Sequence, residues 1–184
     1  MSDGWKFKNV KSAMVTIGII ILLLVTFAGV SYSTEKKTMA RNREKARESL
    51  SKLVVCMDDR FLFSLKLSTL VDDASLTRDI DKALAQYDKN DIKKASASYI
   101  ALDKALLPLQ KAVFPRSDYA RLQPYFERLS SIEDELEPLV QQYNAYASHF
   151  NTDLISFMGK RIAAREGWVS LDLYGLSSVL ASRP

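Results

Sequence analysis

The apolar and polar positions divide the chain into one continuous apolar run and a series of stripes with helical spacing. Residues 12–30 form the run, which contains 19 residues and no charged side chain. A helix over this run is roughly 28 Å long, close to the hydrocarbon thickness of a bilayer. The pattern therefore predicts a transmembrane helix at 12–30, preceded by a short basic N-terminus at 1–11.

A cleaved signal peptide is the alternative interpretation of the same run. The apolar region of a signal peptide commonly spans about 7–15 residues, so the length of this run favours a retained anchor. Small residues near its end also suit cleavage, so both interpretations stay open: Ala28, Gly29, Ser31 and Ser33. No cysteine follows the run closely, which excludes lipoprotein processing there.

Behind the run, apolar residues recur every three or four positions, as on one face of an α-helix. The first stripe consists of Leu50, Leu53, Val54, Met57, Phe61 and Leu65. Neither proline nor glycine occurs between Val30 and Ser75, so we expect the transmembrane helix to continue into the following domain as one rod. Its first part, residues 31–52, is a basic juxtamembrane helix. Ser75 or Thr77 is expected to cap the next helix.

Two further stripes predict two more long helices. One starts at Ile80 and continues to Val113 with a heptad-like seam, which is typical of packed long helices, and Phe114-Pro115 ends it. We expect Pro108 to kink this helix. The other begins near Ser117-Asp118 and continues to Phe150, with bends expected at the prolines Pro124 and Pro138. A short apolar run from Leu154 to Met158 predicts the start of a fourth helix.

These elements predict an all-α protein. The transmembrane helix continues into an elongated antiparallel bundle of three long helices plus a short fourth, which occupies residues 53–167. Residues 168–184 form an apolar C-terminal tail. The chain has only 6 Gly, 5 Pro and one cysteine, which disfavours a β-rich fold and excludes an internal disulfide.

The net charge of +4 is unevenly distributed. Residues 1–52 hold ten basic and four acidic side chains, whereas residues 53–184 carry a small acidic excess. A nucleic-acid-binding domain needs its basic residues on the folded surface, so we expect no nucleic-acid partner. The juxtamembrane basic residues either contact anionic lipid headgroups or form a solvated helix face. They are Lys36, Lys37, Arg41, Arg43, Lys45 and Arg47.

The side of the membrane on which the domain lies is not fixed by the charges. The larger number of basic residues after the run favours a cytoplasmic domain. A short basic N-terminus before the run is also typical of a signal anchor, which exports the rest of the chain.

Candidate chemistry is sparse. His149 is the single histidine and has no neighbouring partner, so a structural or surface role is favoured over a catalytic or metal-binding one. Cys56 is interpreted as an apolar filler. The acidic cluster Glu133, Asp134, Glu135 and Glu137 is interpreted as a solvated face. No phosphate loop, nucleophile elbow or paired-cysteine motif occurs, so we predict a protein that is not an enzyme and takes no cofactor.

Three short segments carry a resemblance to a known family. They are YNAYASHFNTDLISFMG at 143–159, RFLFSLKLSTLV at 60–71 and GVSYST at 29–34. In motif and layout the chain resembles the LemA family, which has a short N-terminus, one apolar segment and a long helical domain. The positions that correspond to the family motif are Tyr143, Asn144, Phe150 and Asp153, of which Asp153 stands where the family often has asparagine. Asn151 stands where the family has proline, and Val30 stands where its lipoprotein members have cysteine.

The resemblance implies an antiparallel helical fold and membrane attachment, with no established enzymatic activity. One branch of the family is linked to building magnetosome membranes. The resemblance therefore suggests that the chain is a scaffold that organises a bacterial membrane. That membrane is the cytoplasmic membrane or a compartment derived from it. Its expected partners are the lipid bilayer, other membrane or membrane-associated proteins, and further copies of itself. The alternative is a membrane-tethered sensory bundle that binds a small ligand or peptide.

Overall fold

A computed structural model describes residues 10–175, and within that range every regular element is a helix. The all-α prediction is confirmed. The helices, numbered in chain order, are α1 (Val10–Leu70), α2 (Ala74–Gln86), α3 (Ile92–Val113), α4 (Tyr119–Ile155) and α5 (Phe157–Glu166).

Helix α1 is a single unbroken helix of 61 residues, about 90 Å long. Its N-terminal part is long and apolar enough to cross a membrane, with a mean hydropathy of 2.7 and no buried residue in the most apolar window. Its C-terminal part lies in the packed core. The prediction that the apolar helix continues without a break into the domain is confirmed.

The predicted helix between Ile80 and Val113 is in fact two helices, so the described chain has five helices rather than four. Helix α2 ends at Tyr87, whose backbone is extended, and α3 begins after Asp91. The Asp91 side chain accepts hydrogen bonds from the backbone N–H groups of Lys93 and Lys94. These N–H groups lie in the first turn of α3 and have no carbonyl partner within the helix. The apolar stripe continues across this turn because both helices contribute to the same core.

The other helix ends follow local signals. The residue that caps α2 is Asp73, not Ser75 or Thr77, because its side chain accepts from the Ser75 backbone N–H. Helix α3 ends at Val113, as Phe114-Pro115 predicts. The exposed prolines do not interrupt the helices that contain them: Pro108 in α3, and Pro124 and Pro138 in α4.

Helices α1 and α4 pack along each other in opposite chain directions. Cys56 contacts Ile132 near the middle, and the backbone carbonyl of Leu70 accepts a hydrogen bond from Arg121 at the start of α4. Both helices bury residues with a seven-residue spacing, which keeps a seam facing its partner over many turns. The buried positions are Met39, Ala46, Leu53, Arg60 and Leu67 in α1, and Leu122, Leu129, Leu136, Tyr143 and Phe150 in α4.

One residue of the predicted stripe in α1 lies outside the core. Leu65 is 48% exposed, whereas Ser64 is fully buried. The inward positions continue from Phe61 to Ser64 and Leu67, because α1 follows the seven-residue seam with α4 at this level. The predicted step of four residues from Phe61 to Leu65 is therefore wrong.

Helices α2 and α3 pack on each other and cover the C-terminal half of the α1 rod. The rings of Phe61 and Tyr87 stack with centroids 3.9 Å apart, and the Tyr87 hydroxyl donates to Asp58 at 2.7 Å. Ser68 donates to Asp81 at 2.6 Å. The core therefore receives side chains from four helices.

The break between α4 and α5 lies at Ser156, so α4 continues past the predicted start of the fourth helix at Leu154. The Ser156 backbone is extended, and its hydroxyl accepts from the Gly159 backbone N–H at 2.8 Å. A side chain at Gly159 would collide with the carbonyl oxygen of Asp153. Glycine at this position therefore permits the sharp turn that brings α5 back onto the end of α4.

We expect Gly159→Ala to lower the free energy of unfolding by about 1–3 kcal/mol, because the added methyl group overlaps backbone atoms that cannot easily move. The measurement is denaturant unfolding of the full chain in detergent, followed by circular dichroism. Gly29→Ala is the matched control, since a methyl group there meets nothing within 4 Å. Equal stability of the two variants would contradict this account of the turn.

Candidate functional site

Three charged side chains from three different helices meet in the core. Arg60 of α1, Asp103 of α3 and Glu133 of α4 are 1%, 4% and 3% exposed, and are called the charge cluster below. The Arg60 Nη2 atom lies 2.8 Å from an Asp103 carboxylate oxygen and 3.6 Å from one of Glu133. One buried positive charge thus faces two buried negative charges.

Helical spacing explains why these side chains point inward. Arg60 lies seven residues after Leu53 and seven before Leu67 on the buried seam of α1. Glu133 lies midway between Phe126 and Val140 on α4, also with seven-residue spacing. Each of these two charged residues therefore occupies a position that apolar residues occupy one heptad away on either side.

The acidic residues of α4 divide between core and solvent. The expectation of a solvated face is wrong for Glu133, which is buried against α1 and α3. It is correct for Asp134, Glu135 and Glu137, which are exposed. Four residues within five positions cannot share one side of a helix with 3.6 residues per turn, so only the one on the seam turns inward.

Two tyrosines border the charge cluster. The guanidinium carbon of Arg60 lies 4.4 Å from the centroid of the Tyr99 ring. Burial raises the pKa of Tyr99 to about 12, and the Arg60 charge opposes this shift. Burial also raises the pKa of Tyr174, which comes from the C-terminal part of the chain. Among the described residues, the Tyr174 hydroxyl and the Nε and Nη1 atoms of Arg60 have no hydrogen-bond partner.

Tyr174 belongs to a segment without regular secondary structure, residues 171–175, that contacts α3 and α4 and is called the C-terminal segment below. Asn144 donates to the backbone carbonyl of Tyr174 and accepts from its N–H, both at 2.8 Å. Asn151 makes the same pair of bonds with Leu171, also at 2.8 Å. These side chains therefore bind backbone in the way that a neighbouring β-strand does.

The spacing of the two asparagines matches the segment that they hold. Asn144 and Asn151 are two helical turns apart, about 10.5 Å along α4. Leu171 and Tyr174 are three residues apart, and three residues of extended chain span about 10 Å. Tyr143 adds a bond to the Asp172 carbonyl at 2.6 Å.

The residues that match the family motif lie along one side of α4, and most contact the part of the chain after α5. Tyr143 and Asn144 hold the C-terminal segment. Phe150 is fully buried, with its ring centroid 5.8 Å from that of Trp168. Asp153 lies nearer the apolar part of α1 and accepts a hydrogen bond from Asn42 of α1 at 3.3 Å.

The tail at 168–184 is predicted from sequence to be apolar and either to cap the bundle or to bind a partner. Its described part buries Tyr174 and half-buries Trp168 and Leu171, whereas residues 176–184 lie outside the described chain. Sequence reasoning did not identify the two asparagines that hold this segment against α4. The available signal is the seven-residue spacing of Asn144 and Asn151, which places two amides on one side of a helix.

The six juxtamembrane basic residues do not form one surface. Lys36 pairs with Glu166 of α5 at 2.6 Å. Arg43 and Lys45 lie over the rings of Trp168 and Tyr146. The remaining three are exposed: Lys37, Arg41 and Arg47.

The two candidate reactive residues occupy unlike surroundings. His149 is exposed on α4. Cys56 is buried, and its thiol donates to the Ile132 carbonyl at 3.7 Å. Burial, more than the nearby Glu135 and Asp59 charges, raises the pKa of the Cys56 thiol to about 11, which lowers the thiolate fraction near neutral pH. Between residues 10 and 175, no three His, Cys, Asp or Glu side chains form a group that could hold a metal ion.

Comparison with protein-family models, with curated protein sequences and with solved structures gives no match to this chain. The resemblance to the LemA family therefore stays a prediction.

We expect Arg60→Met to lower the free energy of unfolding by about 3–5 kcal/mol, because it leaves two carboxylates buried without their cation. The measurement is urea unfolding followed by circular dichroism. Combining it with Asp103→Leu and Glu133→Leu should restore much of the loss, since no buried charge then remains. A single variant as stable as the parent would contradict the proposed pairing.

We expect Asn144→Ala to loosen the C-terminal segment, because two backbone groups of Tyr174 lose their partner at a net cost of about 1–3 kcal/mol. The measurement is hydrogen exchange of the Tyr174 amide. Exchange should accelerate in Asn144→Ala and stay unchanged in Gln142→Ala, which alters an exposed side chain of the same helix. Equal exchange in both variants would show that the amide pair does not hold the segment.

Proposed function

We propose that this chain is a non-catalytic, membrane-anchored helical interaction protein. The observation that carries the proposal is the unbroken α1 helix, whose apolar N-terminal part is exposed and whose C-terminal part forms one wall of the core. In this proposal residues 12–30 cross the bilayer and the remaining helices form an antiparallel bundle around the protruding rod.

The anchor holds the bundle close to the bilayer. Met39 is the first fully buried residue of α1 and lies nine residues after Val30, about 13 Å along the helix. Because the chain between them is helical, it has little freedom to lengthen or swing. A partner bound to the bundle is therefore held near the membrane surface, which suits a scaffold.

An exposed face of α1 supports a protein partner. Val55 and Leu62 are seven residues apart and are 63% and 46% exposed. Lys52 and Asp59 lie on the same side, so the face combines apolar contacts with charges of both signs. Such a strip suits another helix with heptad spacing, including α1 of a second copy.

The cellular setting belongs to the same proposal. If the LemA resemblance holds, the membrane is the bacterial cytoplasmic membrane or a compartment derived from it, and the chain helps to organise it. Two of the family-motif positions, Tyr143 and Asn144, would then serve to hold the C-terminal segment. Of the exposed residues Lys37, Arg41 and Arg47, Lys37 lies nearest the proposed span, about 10 Å beyond Val30 along α1, and is the one best placed to meet anionic lipids.

A membrane-tethered sensory bundle is the second candidate. The observation that favours it is the charge cluster, which carries polar atoms into the core beside Tyr99 and Tyr174. In this alternative, a small ligand or peptide displaces the C-terminal segment and reaches those atoms. It predicts that loss of the segment from α4, rather than a change in membrane attachment, accompanies ligand binding.

The test of anchoring uses a cysteine on the exposed side of α4. Native Cys56 is too buried to report, so Ser148→Cys is placed in a Cys56→Ala chain. We expect the protein to stay in the membrane after alkaline extraction. We also expect the introduced thiol to react with an impermeant maleimide from one side of the membrane only.

Introducing lysines at Leu22 and Leu24 is the control, because charges at the centre of a bilayer span strongly disfavour insertion. This variant should appear in the soluble fraction. Release of the parent chain by alkali would refute the anchor. A crosslinker attached at position 55 that captures no protein in intact membranes would refute the scaffold.

A further inference from the structure

Helix α5 has one buried face and one exposed face, and the exposed face is basic. Gly159 and Ile162 are buried against the end of α4 and against α1. The opposite side exposes Phe157, which is 72% accessible, and a set of small and basic residues. That set consists of Lys160, Arg161, Ala164 and Arg165.

Both ends of α5 meet α1 at the same height. Ser156, which precedes α5, donates to Glu35 at 2.7 Å, and Glu166 at its end pairs with Lys36 at 2.6 Å. Helix α5 has 10 residues, about 15 Å of length, yet its ends contact adjacent residues of α1. It therefore lies across α1 rather than along it.

Helix α5 closes the end of the bundle that lies nearest the apolar part of α1. Its buried residue Ile162 packs with Met39 and Phe150, and Tyr32 packs against the same cluster. The exposed face, with Phe157, Lys160 and Ala164, lies opposite this cluster, at the level of Glu35 and Lys36.

The height of α5 coincides with the headgroup layer. If residues 12–30 span the hydrocarbon, Glu35 lies about 7.5 Å beyond its edge along α1. The polar layer on each side of a bilayer is about 5–7 Å thick, and interfacial helices sink about 5–10 Å into the headgroup and acyl boundary. Side chains that extend from α5 toward the membrane reach that layer.

We propose that α5 is an interfacial helix that lies on the same bilayer that α1 spans and binds anionic lipid headgroups through its exposed face. This inference rests on the proposed membrane anchor. Phe157 supplies an apolar side chain for the interface. The guanidinium carbon of Arg161 lies 4.4 Å from the Phe157 ring centroid, so this surface presents a cation and an aromatic ring side by side. Lys160 and Arg165 add positive charge that matches anionic lipids.

The test places an environment-sensitive fluorophore, NBD, on single cysteines in the full-length Cys56→Ala chain, reconstituted in vesicles. Ala164→Cys reports on α5, Leu22→Cys on the span, and Ser148→Cys on an exposed site of α4 further from the membrane. In phosphatidylcholine vesicles with phosphatidylglycerol, we expect blue-shifted emission and quenching by brominated lipid at 164 and 22. We expect an aqueous spectrum at 148.

Charge reversal separates headgroup binding from simple proximity. Lys160→Glu with Arg165→Glu should abolish the blue shift at 164 that phosphatidylglycerol induces. Lys104→Glu with Lys111→Glu is the matched control on α3, where both lysines are exposed, and it should leave that shift unchanged.

The outcomes distinguish this inference from the anchor. An aqueous spectrum at 164 together with an apolar spectrum at 22 would overturn the α5 inference and leave the anchor intact. An aqueous spectrum at 22 would overturn the anchor itself. A shift at 164 that survives reversal of Lys160 and Arg165 would overturn the binding of anionic headgroups.

Discussion

Arg60 faces two carboxylates inside the core, and this pairing constrains how the long helices align. Asp103 and Glu133 reach the same guanidinium from α3 and α4, so the three helices meet at one level. Sliding any of them by one turn would move a charge about 5.4 Å along the axis and leave it buried among apolar side chains. Apolar layers above and below tolerate such a slip more easily, because hydrophobic contact is not directional. The charge cluster thus fixes the register in which the three helices pack, as single buried polar residues do in coiled coils.

The C-terminal segment connects this level to the end of the bundle that lies nearest the apolar part of α1. It follows α5 after only a few residues, and it places Tyr174 beside the charge cluster while Asn144 and Asn151 hold its backbone. These bonds hold the backbone of the segment, and the buried Tyr174 side chain also packs into the core. Loosening it would affect both the border of the charge cluster and the connection to α5. Helices α1 and α5 and the core are therefore linked through contacts between residues far apart in the sequence.

Periodicity predicts most of the helices, but it fails where one stripe crosses two elements. The apolar residues before Asp88 and those after Asp91 each have helical spacing, because α2 and α3 face the same core. The chain turns between the two sets. The burial of Glu133 escapes prediction for a related reason, since a cluster of acids on a helix is usually exposed. Its seven-residue distance from Phe126 and from Val140 is the one feature that indicates burial. That spacing predicts burial only when the helix that packs against this side of α4 is known.

The sequence by itself determined the properties that depend on neighbours within about two helical turns. These are the helical class, the uninterrupted rod from the apolar run into the domain, and the helix ends at Phe114-Pro115 and Ser117-Asp118. Tertiary structure decided the contacts between residues far apart in the chain. Arg60 and Glu133 lie 73 positions apart, and Asn144 and Tyr174 lie 30 apart. Their pairing depends on how helices pack and where the chain returns, which local spacing does not encode.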